Sequence, residues 1–453
     1  MQIKGGKTLG KYFGTDGVRG LANEKLTPEL AFKLGLACGR ALKEKTEIQT
    51  MIIGRDTRRS GPMLGSALAA GFCSAGIDVL DAGVLSTPAV AYLARVTEGA
   101  GGAVISASHN PAPDNGIKFF GHQGYKLDDA MEGLIEKYLE LAPEEFPRPV
   151  GAGVGSLKPM NDGAGRYLSY LKGAIDCELK GLRIVADCAN GAASDLGPAA
   201  LRQAGAQVIS INDLPDGMNI NDGCGSTHLE GLKKAVVYYQ ADLGLAFDGD
   251  ADRLLAVDGA GQEVNGDKII VILGLFLQEQ GVLGGRAVVT VMSNLGLKKA
   301  FEQAGITVSE TKVGDRYVLE RMLEEDALLG GEQSGHVILR DAATTGDGVL
   351  TALRLLAAVK KTGKTLAQLA AQMEQYPQVL VNVPVACKEG WDTNPAIREA
   401  VRQAEEALAG SGRLLLRPSG TEQLIRVMAE GPDQTILERL AEELAQVIRR
   451  EQG

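Results

Sequence analysis

Three carboxylates stand at alternate positions in Leu243-Gly244-Leu245-Ala246-Phe247-Asp248-Gly249-Asp250-Ala251-Asp252-Arg253. A short apolar run delivers Asp248, Asp250 and Asp252 into a glycine-containing loop, where they repel one another unless a hard divalent cation, here Mg²⁺, gathers them. An EF-hand does not fit, because Arg253 and Gly259 occupy the positions that would need Gly and Glu. A phosphatase with an aspartyl nucleophile would want Thr or Val where Asp252 stands.

The string Val104-Ile105-Ser106-Ala107-Ser108-His109-Asn110-Pro111, followed by Asp114-Asn115-Gly116-Ile117-Lys118, puts Ser108 just past a strand end in a loop stiffened by Asn-Pro. Taken alone, Ser108 reads equally as a turn or N-cap residue. A serine hydrolase is disfavoured: there is no G-x-S-x-G elbow, and His109, as the immediate neighbour, is not expected to turn back onto the Ser108 hydroxyl. The nearby metal loop favours Ser108 as a phosphate carrier, since a phosphoserine of about −2 charge calls for such a cation. In Arg417-Pro418-Ser419-Gly420-Thr421-Glu422, with Arg426 beyond, backbone N–H groups, hydroxyls and a forked guanidinium suit a phosphate cradle, against the alternative of an ordinary Pro-Ser-Gly turn. Gly330-Gly331-Glu332-Gln333-Ser334-Gly335-His336 offers donors and acceptors at the close spacing that sugar hydroxyls require; a structural loop with a satisfied His336 is the plainer account.

Three segments that must position these loops repeat one plan of strand, loop, helix ending in Ala-Gly, and second strand. They run from Met51 through Ala75-Gly76 to Leu80, from Ile184 through Ala204-Gly205 to Ile209, and from Val288 through Ala304-Gly305 to Val308. Gly at the helix end followed by a β-branched run predicts a βαβ unit in each. The fold class is therefore α/β, with three tandem domains of similar topology, at 1–157, 158–258 and 259–375. A smaller α+β domain at 376–453 is expected to hold a strand over 379–385, a helix over 395–409, a hairpin over 413–429 and a helix from 433.

With 453 residues the chain can bury several cores, and its 45% hydrophobic and 23% charged residues are those of a folded protein. A formal net charge of −10 argues against general affinity for nucleic acid or an anionic membrane. Met1 to Gly14 has no apolar core, so no signal peptide is expected, and the longest apolar run, Ile269 to Leu277, is far short of a membrane span. Six cysteines without C-x-x-C spacing suit buried thiols in a reducing cytoplasm.

Taken together, these strings resemble the α-D-phosphohexomutase superfamily, from Tyr12-Phe13-Gly14-Thr15-Asp16-Gly17-Val18-Arg19-Gly20 to the C-terminal helix. Ile105–Pro111, Asn115–Phe120 and Gly331–His336 are most similar to its amino-sugar branch. The resemblance implies four domains around a central cleft and a Ser108 that is phosphorylated in the active state and joins the three Asp residues around Mg²⁺. It implies that Arg19, His109, Lys118 and Arg253 surround the transferring phosphoryl group, with Lys118 a candidate general acid/base. Lys312, Asp315, Glu332, Gln333 and Ser334 would contact the sugar, and Arg417, Ser419, Gly420, Thr421 and Arg426 its distal phosphate. The implied activity interconverts glucosamine 6-phosphate and glucosamine 1-phosphate through a bound 1,6-bisphosphate, toward UDP-N-acetylglucosamine and cell-wall precursors. Glucosamine or glucose 1,6-bisphosphate is the implied primer, a small sugar phosphate the partner, and a homodimer the self-association to test for. The same chemistry on glucose or mannose phosphates, a hydrolase using the same site, and a non-catalytic sugar-phosphate binder are the alternatives. Two departures from the pattern, Ala112-Pro113 after Asn-Pro and Gln423 after Ser-Gly-Thr-Glu, remove no chemical group. Hinge motion is expected near Tyr376-Pro377.

Overall fold

The computed structural model describes residues 10–14, 16–141, 145, 147–408, 410–419 and 422–453. It forms two compact units, Met1–Met292 with Gly305–Gln372, and Ser293–Ala304 with Met373–Gly453.

The first unit holds three sheets, each built on a predicted parallel pair: Thr50–Arg55 with Asp78–Val84, Arg183–Asp187 with Gln207–Ile211, and Arg286–Thr290 with Thr307–Thr311. Each sheet then adds a parallel strand followed directly by an antiparallel return. In the first, Ala100–Ile105 turns back as Asp114–Phe120. In the second, Leu243–Phe247 turns back as Leu254–Asp258, and in the third, Leu329–Gly331 turns back as Val337–Leu339. These returns are the loops that carry Ser108, the three Asp residues and Glu332. The C-terminal loop at Arg417 is again the turn of a hairpin, between Arg413–Pro418 and Leu424–Glu430. The strands leading in are apolar and buried along their whole length at Ala100–Ile105, Leu243–Phe247 and Leu329–Gly331, so each return ends a rigid core element.

Sheet membership runs past two of the expected boundaries. Leu157–Pro159 pairs with Asp78–Val84 in the first sheet, and Glu263–Val264 pairs with Leu254–Asp258 in the second. Helices Pro28–Lys45 and Gly61–Ser74 pack at backbone contact, because a Cβ on Gly35 or Gly71 would strike the main chain of the facing helix. The three domains are also tied by tyrosines. Tyr92 stacks on Tyr170 with ring centroids 4.3 Å apart, while Tyr170 and Arg95 both donate to the Ala342 carbonyl, at 2.8 and 2.9 Å. Tyr167 donates to Asp347 at 2.6 Å, and Asp347 caps helix Gly348–Thr362 by accepting from Leu350 N–H at 2.9 Å.

In the second unit, Leu424–Glu430 is the central strand between Gln378–Pro384 and Arg413–Pro418, close to the expected elements. Helices Pro395–Leu408 and Gln434–Gln452 contribute Ile397, Leu440 and Leu444 to a core with Val383, Ile425 and Val427. Asn294 brackets Tyr376, donating to its carbonyl at 2.9 Å and accepting its N–H at 3.0 Å, so Tyr376 is anchored within this unit. The chain passes between units after Met292, after Ala304 and, for the last time, after Gln372. No helix of the described residues is long and apolar enough to cross a membrane.

Candidate active site

Ser108 does not cap a helix. It follows the buried strand Ala100–Ile105 with φ of +52°, in the left-handed region that costs a non-glycine residue about 1–3 kcal/mol unless its surroundings impose it. The Ser108 N–H donates to Ser106 Oγ at 2.9 Å, and Ser106 Oγ donates to Asp56 at 2.6 Å. So held, Ser108 is 1% exposed and its Oγ donates to Asp248 Oδ2 at 2.6 Å.

The three aspartates converge as expected: one oxygen each from Asp248, Asp250 and Asp252 lies within 4.8 Å of the others, and all three residues are buried. Ala251, at φ +57°, turns the loop so that alternate side chains face one point. Burial and the nearby Asp252 and Asp250 charges raise the Asp248 carboxyl well above the usual carboxylate range. Burial works against ionised Asp252 as well, but Lys118, His336 and Arg253 hold it below that range. Two buried oxygens, Asp250 Oδ1 and Asp252 Oδ1, have no hydrogen-bond partner among the described residues. The Lys118 ammonium sits 3.0 Å from Asp250 Oδ2, 3.7 Å from Asp252 Oδ2 and 3.0 Å from Asp16 Oδ2, a cation standing among the carboxylates. Hard carboxylate oxygens gathered in this way are compatible with a divalent metal site.

Lys118 is therefore an ammonium: burial alone would depress it, and Asp16, Asp250 and Asp252 instead hold it well above the ordinary lysine value. In that state it is suited to supply positive charge or a proton. The expectation for His109 needs correction. Its Nδ1 does turn back, to 3.3 Å from Ser108 Oγ, because the left-handed backbone at Ser108 swings the two side chains together. Burial, with Arg253 and Arg19 nearby, pushes His109 down to about 4, so it is a neutral imidazole. Arg19 is paired with Asp16, and Arg253 Nε lies 3.8 Å from Asp252.

Asp315 begins helix Asp315–Glu324, and its carboxylate is engaged by Lys126 at 2.5 Å rather than left open for a sugar. Lys126 also pairs with Asp16. The Glu332 carboxylate accepts from Gly314 N–H at 2.9 Å and faces Ser334 Oγ at 3.3 Å, while Gln333 is half-buried and Lys312 is exposed. His336 accepts Gly346 N–H on Nε2 at 3.0 Å, which leaves Nδ1 to carry the proton, 3.6 Å from Asp252. The satisfied histidine is thus also part of the metal loop's surroundings.

In the second unit, Arg417 and Arg426 are directly opposite on paired strands. Among the described residues Arg417 makes no hydrogen bond or ion pair, and burial together with Arg426 lowers its affinity for its proton. Glu422 pairs with Arg426 at 3.0 Å, and buried Ser419 accepts Glu422 N–H at 3.2 Å. Two facing arginines, one without a partner among the described residues, are suited to hold an anion. Gly420 and Thr421 lie outside the described residues.

Sequence reasoning missed Asp16, Asp56, Arg58, Thr87, Lys126, Lys388 and Asn221. Thr87 donates to Asp250 at 2.6 Å, and Lys388 donates to the Ser419 carbonyl at 2.9 Å. The one signal was the charged run Arg55-Asp56-Thr57-Arg58-Arg59 directly after an apolar strand.

Four domain families match in order: phosphoglucomutase/phosphomannomutase alpha/beta/alpha domain I at residues 10–145, domain II at 165–261, domain III at 265–376 and the C-terminal domain at 380–447. The chain is 55% identical over 441 residues to a phosphoglucosamine mutase of Desulforudis audaxviator (strain MP104C), covering 97% of this chain and 98% of the relative. Its fold is that of a phosphoglucomutase/phosphomannomutase family protein from Burkholderia thailandensis, with TM-score 0.81, 24% identity and coverage of 96% and 97%. It is also that of Aspergillus fumigatus N-acetylphosphoglucosamine mutase, solved with GlcNAc-6P and magnesium, with TM-score 0.71, 17% identity and coverage of 98% and 96%. Matched along nearly its whole length and carrying a buried serine against a three-carboxylate cluster, the chain belongs to the phosphoglucomutase/phosphomannomutase family, in its phosphoglucosamine mutase branch.

Proposed function

We infer that the chain interconverts glucosamine 6-phosphate and glucosamine 1-phosphate, with Ser108 carrying the phosphoryl group to and from a bound 1,6-bisphosphate. The observation that carries this reading is the 2.6 Å contact between Ser108 Oγ and Asp248 inside the buried carboxylate cluster. In one half-reaction the bond from phosphorus to Ser108 Oγ breaks as a bond forms to the free sugar hydroxyl, whose proton ends on the released Ser108 oxygen by way of Asp248 or His109 beside it. The bisphosphate reorients, the bond from its other phosphorus to the sugar oxygen breaks as one forms to Ser108 Oγ, and the serine proton passes to the released sugar oxygen. For that return, Asp248 Oδ2 at 2.6 Å and the neutral His109 Nδ1 at 3.3 Å both lie within reach of the Ser108 proton.

Lys118, Arg19 and Arg253 supply the positive charge that the equatorial oxygens of a transferring phosphoryl group require. Asp248, Asp250, Asp252 and a Ser108 oxygen would hold Mg²⁺, which when bound polarises the phosphoryl oxygens and neutralises their charge. Glu332, Gln333, Ser334 and Lys312 are the groups offered to the sugar. Arg417 and Arg426, with Ser419, Gly420 and Thr421, are those offered to the distal phosphate. A glucosamine or glucose 1,6-bisphosphate would prime Ser108. Six free cysteines suit a reducing cytoplasm.

The test compares wild type with Ser108→Ala by intact-protein mass spectrometry and turnover. Wild type should carry one phosphate that the variant lacks, and the variant should be folded and inactive. Glucosamine phosphate should exceed glucose and mannose phosphates in kcat/KM by at least about tenfold, or roughly 1.4 kcal/mol of differential transition-state binding. An active Ser108→Ala would remove the carrier role, and a preference for glucose or mannose would change the substrate while leaving the mechanism.

A further inference from the structure

The side chain of Arg58 has no solvent exposure, and its charge is met by an equally buried Asp56 at 2.8 Å. Every one of its five N–H donors has a separate acceptor. Nε donates to Asp56, Nη1 to the carbonyls of Pro111 and, at 3.0 Å, Asp114, and Nη2 to those of Ser108 at 3.0 Å and Asn110 at 2.8 Å. Four of these acceptors are main-chain oxygens of the nucleophile loop, so one rigid fork spans the loop from Ser108 to Asp114. Asp56 extends the same brace through Ser106 to the Ser108 N–H. From the second sheet's domain, Asn221 Nδ2 donates to the Ser108 carbonyl at 2.9 Å and to the Asn110 carbonyl at 3.0 Å.

Both main-chain groups of Ser108 are thus held, its N–H by Ser106 and its carbonyl by Arg58 and Asn221. These are the groups whose orientation fixes a left-handed residue. Oγ points at Asp248 only while that conformation lasts. We propose that Arg58, backed by Asp56 and assisted by Asn221, is a positioning residue for phosphoryl transfer. It holds Ser108 in the strained conformation that aims Oγ at the carboxylate cluster, touching neither sugar nor metal. A lysine there would keep the charge facing Asp56 but lose the planar fork, having three donors on one point in place of five in a plane.

This inference rests on Ser108 being the phosphate carrier, and the experiment separates the two. The full chain as wild type, Arg58→Lys and Asn221→Ala is assayed for kcat and KM with primed enzyme, for phosphate on Ser108 by intact mass, for Mn²⁺ binding by electron paramagnetic resonance, and for melting temperature. Arg58→Lys should lose kcat by tenfold to about a hundredfold, the scale of an ångström's misplacement of a reacting group, with KM and Mn²⁺ affinity within about twofold of wild type. Asn221→Ala, which leaves no buried charge unpaired, should keep the wild-type melting temperature and lose kcat by a smaller factor in the same pattern. If Arg58→Lys does not fold, Asn221→Ala decides. Wild-type kcat in a folded Arg58→Lys or, failing that, in Asn221→Ala overturns the proposal, as does a loss confined to KM. Wild-type enzyme with no phosphate on Ser108 would instead remove the carrier role.

Discussion

Tyr167→Phe deletes one oxygen from the junction of three domains, and its cost should depend on pH in a direction the structure fixes. The hydroxyl donates at 2.6 Å to Asp347, whose other oxygen caps helix Gly348–Thr362. Burial raises the Asp347 carboxyl to about 6, against the hydrogen bonds from Leu350, Tyr167 and Val349 that favour its ionised form. Because the folded pKa lies above the unfolded one, the stability this group contributes is complete below about pH 3.8 and is lost as pH rises through about 6. Removing the Tyr167 donor withdraws support from the charged form, a loss of about 1.5–3 kcal/mol for a hydrogen bond to an ionised group. Set against the smaller loss in the protonated form, the differential of about 1–1.5 kcal/mol moves the Asp347 titration upward by about one pH unit. Above both titrations the variant bears the full loss. At pH 5 the acid is protonated in both proteins, and the penalty falls to the roughly 0.5–1.5 kcal/mol of a neutral hydrogen bond. Urea unfolding of both proteins at pH 5 and pH 8, with fixed salt, measures the difference. Equal destabilisation at the two pH values, or a larger loss at pH 5, would refute the assignment of Asp347 as a buried acid held ionised by Tyr167.

Asp248→Asn removes one of three mutually repelling buried carboxylates, so the metal-free protein should melt at an equal or higher temperature. Mg²⁺ should raise that temperature less than it does in wild type, and turnover should be lost; a variant that still binds Mn²⁺ with wild-type affinity contradicts the metal assignment. Chelation of divalent ions should stop wild-type turnover and added Mg²⁺ should restore it, whereas normal turnover in the chelated enzyme removes the metal requirement. Arg417→Ala takes away a half-buried guanidinium that has no partner among the described residues, so kcat/KM should fall by roughly 1.5–3 kcal/mol with little change in melting temperature. Unchanged kinetics on the sugar phosphates would exclude it from the phosphate site.

What could be read in the sequence and what could not divide by range along the chain. The aspartate string, the Ser108 string and the Arg417 string each lie within one hairpin return, and local patterning exposes them: an apolar strand, a glycine or proline turn, and polar residues where the core stops. The βαβ units were legible for the same reason. The groups that set the chemistry of those loops come from elsewhere. Thr87 reaches Asp250 across 163 positions, and Lys126 reaches Asp315 across 189. Asp315 is assigned to the sugar from the resemblance of its loop, and only the fold shows Lys126 engaging its carboxylate. His109 was misjudged for a different reason: the left-handed backbone at Ser108 has no mark in a serine's identity, and glycine, the usual sign of such a turn, is absent there. A serine in that conformation is stable because the closed set of Arg58, Asp56 and Ser106 satisfies its main chain, and two of those residues lie about fifty positions upstream. Ser108 is therefore written locally and its aim remotely, so on the proposed mechanism substitutions at Arg58 or Asn221 should reach kcat without touching any group that reacts.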